Sequence, residues 1–142
     1  MKKLFLTGIV VAAMGVAASA SDNPTAERQT LMKNVGAAIG MGGKMAKGEI
    51  PFDMVAAQLV FKTFNSASLG FGYMFPEGSE TGNDTEASPA IWSDRAGFNA
   101  AVDKFTADTN AEFTDLASFQ AAFGKAASNC GSCHKAFRVK KN

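Results

Sequence analysis

The chain is 142 residues long and carries 14 basic side chains, 13 acidic ones and a single histidine, for a formal charge of +1. That length suits one domain built on one core and leaves no room for a second. The near balance of charge gives no footing to a nucleic-acid partner, which would call for a basic stripe or patch.

Residues 1–20 read as a secretory leader: Met1-Lys2-Lys3, an apolar stretch from Leu4 to Val16, then Ala17-Ala18-Ser19-Ala20. The stretch falls short of the roughly 20 apolar residues that span a bilayer, and small residues rather than a basic stop follow it. Cleavage after Ala20 would leave a domain over 21–142, exported to the periplasm, with no membrane insertion. Removal of Lys2 and Lys3 would leave it 12 basic against 13 acidic side chains, a formal charge of −1.

Asn23-Pro24 places a capping side chain before a proline that suits the first helical position, with Glu27 near the positive end of the helix dipole. Leu31, Met32, Val35, Ala38, Ile39, Gly42 and Met45 then recur at three- and four-residue steps, which predicts a first helix with one buried face, ending near Lys47-Gly48. A second helix is expected to open at Pro51, turn Phe52, Val55, Leu59 and Phe64 inward, and stop at Gly70 and Gly72. Residues 70–88 hold four glycines, one proline and four acidic side chains without periodicity and read as a long loop, packing the rings of Phe71, Tyr73 and Phe75 onto the core. Ser88-Pro89 repeats the cap-plus-proline signal for a third helix presenting Ile91, Trp92, Phe98, Val102 and Phe105. A fourth starts near Asp115 and carries Leu116, Phe119, Phe123, Ala127 and Cys130 at helical steps. Four amphipathic helices without a convincing strand predict an all-α fold, an antiparallel four-helix bundle.

The last helix carries Cys130-Gly131-Ser132-Cys133-His134, which fits C-x-x-C-H, the attachment pattern of c-type haem. Two thiols three residues apart reach two vinyl groups of one macrocycle, and the adjacent imidazole reaches the iron. Other uses of the pair fit less well. A thioredoxin-like C-x-x-C begins a helix after a strand, and no strand precedes this one. A zinc site needs about four ligands, whereas the chain offers two thiols and its only histidine. A disulfide is the default for two cysteines in an exported chain, but the spacing argues for haem. No paired carboxylates or nucleophile–base set marks an enzyme.

C-x-x-C-H near the C-terminus of a four-helix chain resembles the class II c-type cytochromes, the group that contains cytochrome c′ and its low-spin, methionine-ligated relatives. Arg28-Gln29-Thr30-Leu31-Met32, Pro89-Ala90-Ile91-Trp92 and Phe137-Arg138 extend the likeness over nearly the whole domain. The resemblance implies one covalent haem c between the helices, bonded to Cys130 and Cys133 with His134 as an axial ligand. It also places Met32, four residues after Arg28, on the distal face. In the low-spin branch a methionine there is the sixth ligand, whereas cytochrome c′ proper keeps an apolar side chain there and a five-coordinate iron. Leu31-Met32-Lys33-Asn34 and Ala46-Lys47-Gly48-Glu49 look more like the low-spin branch.

Met41, Met45, Met54 and Met74 are the other methionines after the leader, and a gap-filling role is an alternative for Met32 itself. Arg28 lies one turn before Met32 and would pair with a haem propionate or stand solvated near the helix start. Arg138, four after His134, would line the exposed histidine side or serve as a cation at a helix C-terminus. The function implied is one-electron transfer, with nitric oxide or carbon monoxide binding at an open iron as the rival. Lys125, Lys135, Arg138, Lys140 and Lys141, with no acidic residue from 116 onward, would form a basic rim for an acidic redox partner. The first two helices, with Gly36, Gly40, Gly42 and Gly43, suggest a homodimer contact.

Overall fold

The computed structural model describes residues 23–140. The expected leader, its expected cleavage site and Lys141 lie outside the described residues. Helix α1 spans Pro24–Ala46, α2 Met54–Phe71, α3 Ala90–Ser93, α4 Arg95–Thr109 and α5 Leu116–Phe137, with one 3-10 turn at Gly72–Met74. Helix α1 packs on α2 and α5, and α4 packs on the same two, so the four long helices close a ring around a common core. This is the expected antiparallel four-helix bundle. Among the described residues the one β-type pairing is a single antiparallel bridge between Ala87 and Arg138, and no helix is long and apolar enough to cross a membrane.

The helix starts follow from capping chemistry. Asn23 accepts the Ala26 amide at 3.0 Å, and Asp115 accepts from Ser118 N while Ser118 Oγ accepts the Asp115 amide, a reciprocal pair that satisfies two otherwise unpaired donors. At α2 the cap is Asp53, accepting from Ala56 N at 2.7 Å, so the helix opens three residues after Pro51. Phe52 stays outside it and packs its ring on Phe119.

Several sequence expectations change here. Val55 and Leu59, expected inside, are 74% and 59% exposed. The buried face of α2 is Ala57, Val60, Phe61, Phe64 and Ala67. Helix α2 is apolar on both sides, so both stripes satisfy a 3.6-residue period, and the denser aromatic one faces in. The third helix is broken at Asp94, whose φ of −123° and ψ of 61° leave the helical region. Its carboxylate turns back to accept the Gly97 amide at 3.0 Å and starts α4 anew. A Cβ on Gly97 would sit 2.2 Å from that carboxylate, so any larger residue there would make the Asp94 side chain shift. Tyr73 and Leu116, also expected to pack, are exposed.

The core has two parts. A larger cluster joins Val35, Ala38, Met45, Val60, Phe61, Phe64, Phe119 and Phe123 between α1, α2 and α5. A smaller aromatic one joins Phe75, Ile91 and Phe98, with Phe71, Trp92 and Phe137 against it, and ties the loop to α3, α4 and the end of α5. Gly42 belongs to the first. A Cβ there would meet Phe123 at 2.3 Å, and that ring is held by Phe64 and Phe119. Gly42→Ala is therefore expected to destabilise by about 1–3 kcal/mol through overpacking, despite alanine's better helix propensity. Gly40→Ala, with nothing within 4 Å, should stabilise by about 0.5–1 kcal/mol. Urea midpoints of the two variants check the opposite signs.

Candidate haem-binding site

A cavity of about 730 Å³ lies between α1 and α5, bounded also by the end of α2, by α4 and by residues 83–87. It falls within the usual range of cofactor sites and its walls are mostly apolar. One face of α5 supplies Asn129, Cys130, Cys133, His134, Phe137 and Arg138, and one face of α1 supplies Arg28, Gln29, Met32, Val35 and Ile39. The steps of three and four along each helix account for this convergence. All six residues picked from the sequence line this one cavity.

Cys130 and Cys133 are free thiols, each half-buried. Burial pushes both thiols above their ordinary pKa, and Cys130 adds to the effect on Cys133. His134 is more exposed; partial burial and then the nearby Arg138 charge hold its imidazole below its usual range, favouring the neutral form that binds metals. Gly131 and Ser132 point outward between them. Met32 is the one methionine among the cavity-lining residues. Met45 is sealed in the core and Met41 is on the surface.

Arg28 is not a solvated charge. It is 3% exposed, and its Nη1 donates to Ser79 Oγ and Met74 O while Nη2 donates to Ser79 O and Thr85 Oγ1. Its guanidinium stacks 4.7 Å above the Phe75 ring. Burial lowers its pKa, and Glu80 partly offsets that. Nε is a buried donor without a protein acceptor. Arg138 caps α5 and pairs with Glu86, donating from Nε at 2.5 Å.

Sequence reasoning passed over Asn129, which is 5% exposed beside Cys130. Its amide donates to Asp108 at 2.8 Å and to the Lys125 carbonyl, anchoring α5 to α4 next to the thiols. Only its place before the motif hinted at this. The Asn129 bond, then the one from Lys104, holds Asp108 below the ordinary carboxylate range. A depressed carboxylate stabilises the fold above its unfolded pKa of about 3.9 and loses that effect as pH falls through the lower folded value. The urea midpoint of Asp108→Asn should thus lie below the parent's at neutral pH and approach it as acid is added.

The site fits a haem c. Two free thiols on one turn suit two thioether links, the imidazole beside them suits iron, and the orphaned Nε of Arg28 is a donor suited to a carboxylate. Comparison with known proteins agrees. The sequence profile described as Cytochrome C′ matches residues 23–138. The chain belongs to the cytochrome c′ family. It is 36% identical over 140 residues to a cytochrome c′ of Rhodopseudomonas palustris, covering 96% of this chain and 95% of that one. It is 35% identical over 119 residues to a cytochrome c-556 of Agrobacterium fabrum, covering 81% and 80%. The solved cytochrome c′ of Rhodopseudomonas palustris superposes with a TM-score of 0.81 at 35% identity, covering 86% of this chain and all of that one. Membership in the cytochrome c′ family gives the chain one covalently attached haem c and the work of a monohaem electron carrier.

Proposed function

We propose that the chain is a periplasmic one-electron carrier whose haem is bonded to Cys130 and Cys133 and ligated by His134 and Met32. The observation that carries this reading is that the cavity holding both thiols and the imidazole has one methionine in its wall, Met32, at the family's distal position. Haem iron, when bound, supplies the one-electron chemistry. A thioether opposite an imidazole suits both oxidation states and raises the potential. Val35, Ile39, Phe71 and Phe105 give the cavity apolar walls, and Arg28 Nε and Arg138, both in those walls, would donate to haem propionates. Absorption spectra of the purified protein in both oxidation states test the reading: a low-spin spectrum with a methionine-to-iron charge-transfer band supports it. A high-spin spectrum that responds to carbon monoxide supports the second reading, a five-coordinate gas-binding site, which the kinship with proteins named cytochrome c′ favours.

Residues 1–20 act in this reading as a leader cleaved after Ala20, which the intact mass of the exported protein checks. Lys125, Lys135 and Lys140 are exposed along and beyond α5, while Arg138 is paired with Glu86. The remaining lysines would steer an acidic redox partner, so association should slow as salt rises. Val55, Leu59 and Leu69 form an exposed apolar stripe on α2, and Met41 is exposed on α1. They suit a homodimer contact together with the open surface at Gly40, whereas Gly36 lines the cavity. Leu59→Glu is expected to turn a dimer into a monomer by sedimentation.

A further inference from the structure

Residues 76–87 form a strap tied to both α1 and the end of α5, and its residues 83–87 line the cavity. As far as Thr85 it is held by α1: four donor contacts from Arg28 reach Met74, just before the strap, and Ser79 and Thr85 within it, and Gln29 Nε2 donates to Asn83 O at 2.7 Å. Asn83 in turn donates to the Asn23 side chain at 2.7 Å. At the other end it is held by the close of α5: Val139 N donates to Glu86 O at 2.9 Å and Ser88 N to Phe137 O at 3.0 Å, beside the Arg138–Glu86 ion pair. Between Ser79 and Thr85, Gly82, Asn83 and Asp84 take φ values of 96°, 46° and 49° in succession. Two non-glycine residues in the left-handed region persist only where their surroundings hold them there.

The fastenings fall one helical turn from each proposed axial ligand. Arg28 and Gln29 precede Met32 by four and three residues, and Arg138 follows His134 by four. The same strap, through residues 83–87, lines the cavity that both ligands enter. We propose that the strap sets the sixth coordination position: by tying the α1 turn of Met32 to the end of α5, it holds the thioether at bonding distance from the iron and so keeps small gases out. This rests on the reading of Met32 as a ligand. Ser79, Thr85 and Gln29 are then positioning residues. A looser strap lets the Met32 turn retreat more often, and the apparent affinity for an exogenous ligand rises with the fraction of open sites.

The test uses the ferrous holoprotein mixed with carbon monoxide. At high carbon monoxide the binding rate reaches a ceiling set by departure of Met32. Arg28 is left intact, because its loss would also remove a propionate donor. In the double variant Ser79→Ala/Thr85→Val the ceiling is expected to rise about tenfold, the effect of weakening two hydrogen bonds, and in Gln29→Ala roughly two- to fourfold. Glu77→Gln, in the strap but outside these fastenings, should leave it unchanged. Should the double variant not load haem, the parent itself gives a second measurement. Coupling is reciprocal, so carbon monoxide binding should speed hydrogen exchange at the amides of Thr85, Ser88 and Val139. Unchanged ceilings in loaded variants, or equal exchange with and without carbon monoxide, overturn the proposal while a low-spin parent keeps Met32 as ligand. A parent that is already five-coordinate overturns both.

Discussion

With Met32 as the proposed sixth ligand, Met32→Ala is expected to yield a high-spin holoprotein, with the parent's methionine-to-iron charge-transfer band gone in the ferric state. Alanine cannot reach the metal, and no other methionine among the described residues lines the cavity. The potential should fall by on the order of 100 mV, a fraction of the ~0.8 V over which axial ligands set haem potentials, because the soft thioether that favours ferrous iron is lost. Carbon monoxide, with no internal ligand to displace, should bind at least about tenfold faster at high concentration, where departure of the thioether limits the parent. Spectra, potentiometry and stopped-flow mixing read these three effects on one preparation. A variant with the parent's spectrum would show that the thioether never bonds the iron, leaving Met32 as a cavity-lining apolar side chain.

The second large effect concerns attachment. Cys130→Ser/Cys133→Ser should yield protein whose mass after denaturing chromatography lacks the porphyrin entirely, since a hydroxyl does not form the thioether link. Each single variant should retain one link. The physical setting favours a clean result: both thiols are free and half-buried on the same cavity wall, and Asn129, one residue before the first, pins that turn of α5 to Asp108. Mass spectrometry of the three variants and the parent, made with an intact haem-attachment system, decides it. Porphyrin retained covalently by the double variant would refute the assignment of Cys130 and Cys133.

The amino-acid sequence by itself determined whatever depends on spacing along one helix. Cys130, Cys133 and His134 had to share a face of α5, and Arg28 and Met32 a face of α1, because a helix brings every third and fourth residue together. The caps at Asn23 and Asp115 were equally local, each a side chain bonding an amide three residues on. Tertiary structure alone decided what such spacing leaves open. Val55 and Leu59 face outward because α2 carries two apolar stripes, and only packing against α1 and α4 selects one. Gly42 meets the Phe123 ring rather than a second subunit. Arg28 is buried by Ser79 and Thr85, 51 and 57 residues away, and no local period records a contact of that separation. The strap along the cavity is therefore a property of the folded chain: its hydrogen bonds join segments that only the bundle brings together.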